Sequence, residues 1–109
     1  MSQSILFITR ALQKYGIEPE EPVACLLAPS PESVFSMLGI WAAGGVFFPL
    51  DPQLPDDLLK KYLEVVQPEK LIIEPGQYER MQVILKSAFA TKSFEFIEDQ
   101  EAGLFFVTE

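Results

Sequence analysis

The sequence predicts an α/β fold, a mostly parallel sheet with helices on both faces, and three observations predict it. Short unbroken apolar runs at 23–28 and 71–73 have the length and continuity of strands buried on both sides. Longer segments between them carry apolar residues at helical spacing. Turn and cap residues, chiefly Pro, Gly and Ser, punctuate the alternation. Strand–helix alternation builds βαβ units, and right-handed crossovers distribute the helices over both faces of the sheet. A chain of 109 residues with 49% hydrophobic content is expected to form a single α/β unit spanning residues 1–109.

The elements follow in order. Ile5, Ile8, Leu12 and Tyr15 repeat on one helical face, and Gly16 supplies a C-terminal stop. Residues 18–22 are a polar connection into the first strand. Ser30, Pro31 and Glu32 make a helix start: a side-chain acceptor, a residue suited to the first turn, and an acid at the positive end of the dipole. The helix that follows carries Val34, Phe35, Met37, Leu38, Ile40 and Trp41 around most of its circumference, so it is expected to be among the most buried elements. Trp41, Leu38, Phe35, Val23, Leu26 and Ile72 are the expected core.

Gly44 and Gly45 end that helix, and one of them should hold a positive φ for the chain to reverse into a strand at 46–48. A third helix opens at Pro55, Asp56 and Asp57, with Asp56–Lys60 and Asp57–Lys61 spaced for surface ion pairs. Pro68 closes it before the strand 71–73. Pro75 and Gly76 start a fourth helical segment bearing Tyr78, Met81, Ile84, Leu85 and Ala88. A strand at 94–97, an acidic loop at 98–103 and a final strand at 104–107 complete the chain.

Composition excludes several functions. The formal charge of −8, from sixteen acids against eight bases, leaves no basic face for phosphates, so neither nucleic acid nor an anionic membrane is an expected partner. No window holds the roughly 20 apolar residues of a membrane span, and nothing at the start resembles a signal peptide, which together predict a cytoplasmic protein. Cys25 is the single cysteine and there is no histidine, so Cys25 reads as a buried, inert thiol. The carboxylate pairs Asp56–Asp57, Glu98–Asp99 and Glu20–Glu21 read as solvated charge, because adjacent residues on a helix do not face one another. Gly44–Gly45 lacks the lysine and hydroxyl of a phosphate loop and reads as a helix cap.

One stretch is more specific. Trp41-Ala42-Ala43-Gly44-Gly45-Val46-Phe47-Phe48-Pro49-Leu50-Asp51-Pro52, with Pro55 beyond it, closely resembles the second core motif of nonribosomal peptide synthetase adenylation domains, written LKAGGAYVPLDP. These belong to the adenylate-forming (AMP-binding) superfamily. The resemblance extends to Pro22-Val23-Ala24, to Ser30-Pro31-Glu32 and to 58–73 with Gln67-Pro68. Ala42 stands where the family usually has Lys, and Phe47 where it has Tyr.

The resemblance implies the first subdomain of an ATP-dependent enzyme that activates a carboxylic or amino acid as its acyl-adenylate. ATP and Mg would be the parent enzyme's cofactors, and none is expected in this chain. Leu104, Phe105, Phe106, Val107 and Thr108 are similar to the strand that leads into the family's phosphate loop, and Glu109 follows directly. The chain is therefore expected to be an N-terminal fragment, inactive by itself, with no catalytic, cofactor-binding or metal-ligating residue. The expected partners are the remainder of an adenylation domain or neighbouring synthetase domains. An MbtH-like helper protein is a further possibility that the resemblance implies, and an exposed end strand predicts a homodimer. A free-standing interaction module that kept the fold without catalysis is the alternative reading.

Overall fold

A computed structural model describes residues 3–100 and 103–109. The element order is α1 (Gln3–Lys14), β1 (Pro22–Leu26), α2 (Pro31–Ala42), β2 (Val46–Leu50), α3 (Asp56–Val66), β3 (Lys70–Ile73), α4 (Tyr78–Ala88), β4 (Glu95–Asp99) and β5 (Leu104–Thr108). A single 3-10 turn, Pro75–Gln77, leads into α4. The local signals read from the sequence account for most boundaries. Ser30 caps α2 by accepting from the Ser33 N–H, while the Ser33 hydroxyl accepts from the Ser30 N–H, so two of the helix's orphan donors are satisfied reciprocally. Gly16 takes a φ of 79° just beyond α1.

The sheet order is β2-β1-β3-β5-β4. β1 lies parallel to both β2 and β3, whereas β5 runs antiparallel to β3 and to β4. The expected mostly parallel sheet is thus parallel only in its β2-β1-β3 half. The reason is the connection at 100–103, which is too short for a crossover, so β4 and β5 must form a hairpin. β4 also extends through Glu98 to Asp99, taking two residues assigned to the acidic loop.

Helices cover both faces. Successive residues of β1 point to opposite sides. Val23 and Cys25 join Ile8, Leu12, Ile40, Ile72 and Phe106 under α1 and α2. Ala24 and Leu26 join Leu59, Leu63, Leu71, Ile73, Met81, Leu85 and Val107 under α3 and α4. This alternation splits the expected core, because Leu26 lies on the opposite face from Val23, Ile72 and Phe35.

Trp41 is a larger correction: it is 56% exposed, and Val34 beside it on the same helical stripe is 48% exposed. Of α2, only Ser36, Gly39 and Ile40 are buried. That helix is apolar all round, yet just one side of it meets α1 and the sheet. The contact with α1 is tight: a Cβ on Gly39 would lie 2.6 Å from Ile8 Cγ2. The Thr9 hydroxyl spans this seam to the Ile5 and Gly39 carbonyls at 2.7 and 3.3 Å.

β5 is not an edge. It lies between β3 and β4, with Leu104, Phe106 and Val107 buried and Phe105 packed against Tyr78 at 4.8 Å between ring centroids. The chain therefore covers its own final strand, and the ground for expecting a homodimer there is gone. No helix among the described residues is long and apolar enough to cross a membrane.

Candidate functional site

The stretch that sets this sequence apart, residues 41–55, runs from the end of α2 through β2 to the start of α3. Its residue types follow from the path. α2 ends at Ala42 and is capped by Ala43, whose N–H bonds back to the Gly39 and Ile40 carbonyls. Gly44 then adopts a φ of 89°, the left-handed region that a side chain resists. Gly45 has a different role, since a Cβ there would sit 2.7 Å from Ile17 Cδ1 and 3.1 Å from the Glu21 carbonyl oxygen. One glycine turns the chain, and the next lets it pass against the residues that enter β1.

β2 is an edge strand. The Val46 N–H donates to the Glu21 carbonyl at 2.8 Å, so Val46, Phe48 and Leu50 direct their backbone groups at β1. Phe47 and Pro49 direct theirs outward. Pro49 thus occupies a position where its missing N–H costs no ladder bond, the usual place for proline in a sheet. Beyond β2, the Asp51 carboxylate accepts from the Gln53 N–H at 2.8 Å and its carbonyl from Leu54 N–H at 3.1 Å, which folds 51–54 into a turn.

Two shallow hollows flank this segment at the carboxyl end of β1 and β2. One, of about 420 Å³, is lined by Cys25, Leu27, Ser33 and Phe47, and the other, of about 320 Å³, by Phe48, Leu54 and Tyr62; Pro49, Leu50 and Asp51 line both. The Gly44 and Gly45 N–H groups are committed to the Trp41 and Ile40 carbonyls at 3.0 and 2.9 Å, so the double-glycine turn offers no converging donors for a phosphate. Among the described residues no group of three or more His, Cys, Asp or Glu side chains is placed to hold a metal ion.

The singled-out polar residues fall as follows. Cys25 is buried, and that burial pushes its thiol well above the usual range, which fits the inert assignment. Glu98 and Asp99 end β4. Burial, with Asp99 and then Glu95 nearby, raises the Tyr15 phenol above its ordinary value. Two carboxylates read as solvated are engaged. Glu21 forms a nearly sealed ion pair with Lys70, whereas Asp56 stays solvent-exposed while pairing with Arg80 at 2.7 Å, a partner other than the Lys60 expected from spacing. Nothing local to Glu21 or Lys70 signals the first pair, because 49 residues separate its members.

The sequence profile of the AMP-binding enzyme family matches residues 2–103. The chain belongs to that family, and what it contains corresponds to the N-terminal part of a nonribosomal-peptide-synthetase-like adenylation domain. It is 43% identical over 65 residues to a dimodular nonribosomal peptide synthase of Bacillus subtilis, covering 60% of this chain and 3% of that protein. It is 30% identical over 99 residues to polyketide synthase PksN of B. subtilis, covering 85% of this chain and 2% of the relative. The chain thus spans only a few per cent of the length of these curated relatives.

Among solved structures, a four-domain nonribosomal peptide synthetase, AB3403, bound to AMP and glycine aligns with a TM-score of 0.66 at 31% identity, over 69% of this chain and 6% of that one. Apo MatB from Rhodopseudomonas palustris shares the fold with a TM-score of 0.69 at 20% identity, over 78% of this chain and 17% of that one.

Proposed function

We propose that these 109 residues form one structural unit of an ATP-dependent enzyme that activates a carboxylic acid, and specifically an amino acid, as its adenylate. The observation that carries this reading is the family match combined with the construction of 41–55. Each unusual residue there, Gly44, Gly45 and Pro49, serves the backbone path, and none reaches toward chemistry. A segment that resembles a core motif and whose unusual residues serve the backbone path supports a framework role.

On this reading the chain supplies no catalytic, cofactor-binding or metal-ligating residue of its own. ATP and Mg would be held by other parts of the enzyme, and so would the amino acid. The chain's partners are the remainder of an adenylation domain or adjoining synthetase domains, and the setting is cytoplasmic. The synthetase relatives favour an amino acid over other carboxylic acids.

The test is amino-acid-dependent ATP–pyrophosphate exchange, measured on the isolated chain and on a chimera. In the chimera these residues replace the matching segment of a nonribosomal peptide synthetase adenylation domain. Exchange is expected from the chimera and none from the chain alone. Exchange by the chain alone, surviving repeated purification, would show that it holds a complete site. A chimera that folds yet stays inert would remove the framework reading and leave the interaction module.

A further inference from the structure

Arg80, on the first turns of α4, contacts three separate segments through one guanidinium. Its Nε donates to Asp56 Oδ1 at 2.7 Å at the start of α3. Nη1 donates to the Pro52 carbonyl at 2.7 Å and to Gln77 Oε1 at 3.1 Å, and Nη2 donates to the Leu54 carbonyl at 2.5 Å. Two of these acceptors are loop carbonyls with no helix or strand to engage them. The planar fork of an arginine can satisfy such a set at once, which a lysine ammonium on a flexible stem cannot.

We propose that Arg80 is the clasp that sets the conformation of the loop 51–55, fastening the end of the signature segment to the α3–α4 layer. The local turn built on Asp51 fixes the loop's internal shape, since both of its hydrogen bonds lie within 51–54. It does not fix where that turn sits. The Leu54 side chain packs against the core, and among the described residues Arg80 joins the Pro52 and Leu54 carbonyls to a helix. Because Pro49, Leu50 and Asp51 line both hollows at this end of the sheet, the clasp also holds the ridge between them. The clasp is independent of the reaction assigned above, so its failure and the failure of that reading are separate outcomes.

Hydrogen exchange on the intact chain tests it, read amide by amide in Arg80→Met, Arg80→Lys and Asp56→Asn. Losing hydrogen bonds to a charged group should speed exchange at Gln53 and Leu54 by about tenfold or more in Arg80→Met, with Cys25 and Ile72 in the central strands unchanged within about twofold. Asp56→Asn keeps the carbonyl contacts and should leave the loop protected. Equal acceleration throughout the chain would reduce Arg80 to a contributor to global stability and overturn the proposal. So would unchanged loop amides, or a loop opened as fully by Asp56→Asn as by Arg80→Met. Should Arg80→Met not fold, Arg80→Lys decides: a smaller acceleration confined to 51–57 supports the clasp, and one without that selectivity sinks it.

Discussion

Lys70 Nζ lies 2.8 Å from Glu21 Oε2 and 3.1 Å from Oε1, and the two side chains retain only 7% and 10% of their exposure. The pair ties the residue just before β1 to the first residue of β3, at the end of the sheet where the Glu21 carbonyl also accepts from Val46. Glu21 therefore engages both strands that flank β1, one through its side chain and the other through its backbone.

The pair's energetics are asymmetric. Removing one partner strands a buried charge, so Lys70→Met or Glu21→Leu alone should cost about 3–5 kcal/mol. The double replacement Glu21→Leu/Lys70→Met should recover most of that loss, because well-packed apolar substitutes often match a buried pair. Urea unfolding of the four variants checks this. Strictly additive losses in the double variant would show that the two charges do not depend on each other.

Trp41 gives a second prediction, and it concerns the face of α2. With 56% of its surface exposed, Trp41→Ala should change stability by about 1 kcal/mol or less, whereas Leu12→Ala, at 1% exposure, should cost about 2–5 kcal/mol. Trp41 fluorescence should also be open to an aqueous quencher such as iodide. Strong protection from iodide, with a large loss in Trp41→Ala, would mean that α2 is rotated about its axis.

Trp41 also shows where the sequence stops being legible. Periodicity marks α1 clearly, because its apolar residues occupy one stripe and the remaining side is polar. In α2 the apolar residues circle the helix, so the pattern cannot say which side meets the sheet. Capping chemistry is local and was readable: Ser30, Gly16 and Gly44 each satisfy a need set within a few residues. Glu21–Lys70 and Arg80 with Pro52 and Leu54 are tertiary contacts between distant positions, and composition carries no trace of them. The antiparallel half of the sheet is a different case. The strand–helix alternation up to residue 88 favours parallel pairing, while the connection between the last two strands, read as 98–103 or as 100–103, is too short for a crossover and dictates a hairpin. Of the site, the importance of 41–55 was legible as a resemblance, while the physical task of each glycine needed the neighbours.

The paired glycines should respond differently to substitution. Gly44 has open space where a Cβ would go but a φ of 89°, so Gly44→Val is penalised by backbone strain of about 1–3 kcal/mol. Gly44→Asn should cost less, since asparagine tolerates the left-handed region. At Gly45 the obstacle is contact: an added methyl meets Ile17, Ile40 and the Glu21 carbonyl. Gly45→Ala should therefore be eased by shortening Ile17 to Val, and Gly44→Val should not. Thermal midpoints of the single and paired variants decide, and equal rescue of both by Ile17→Val would show that one mechanism governs the two positions.

Cys25 provides the last prediction, in which burial, reactivity and pH act together. Its side chain is 2% exposed under α1 and α2, and desolvation of the thiolate raises its ionisation above the usual thiol range. The thiolate is the reactive form, so native protein should resist a disulfide exchange reagent, and labelling should proceed only through opening of the fold. The rate should therefore rise with urea in step with unfolding. The pH dependence has a definite sign. Below the unfolded thiol's value of about 8.5 both states are protonated and this group leaves stability unaffected. Above it, the unfolded chain ionises while the folded chain does not, so stability falls as pH rises further. Tyr15, raised in the same direction, should extend the decline above about pH 10. Cys25→Ala leaves a small cavity but removes the ionising group, so its stability curve should be lower near pH 7 and flatter between pH 8 and 10. Rapid stoichiometric labelling of native protein at neutral pH would show that the thiol reaches solvent through the adjoining hollow, and a Cys25→Ala curve parallel to the parent's would show that the thiol's ionisation is not linked to folding.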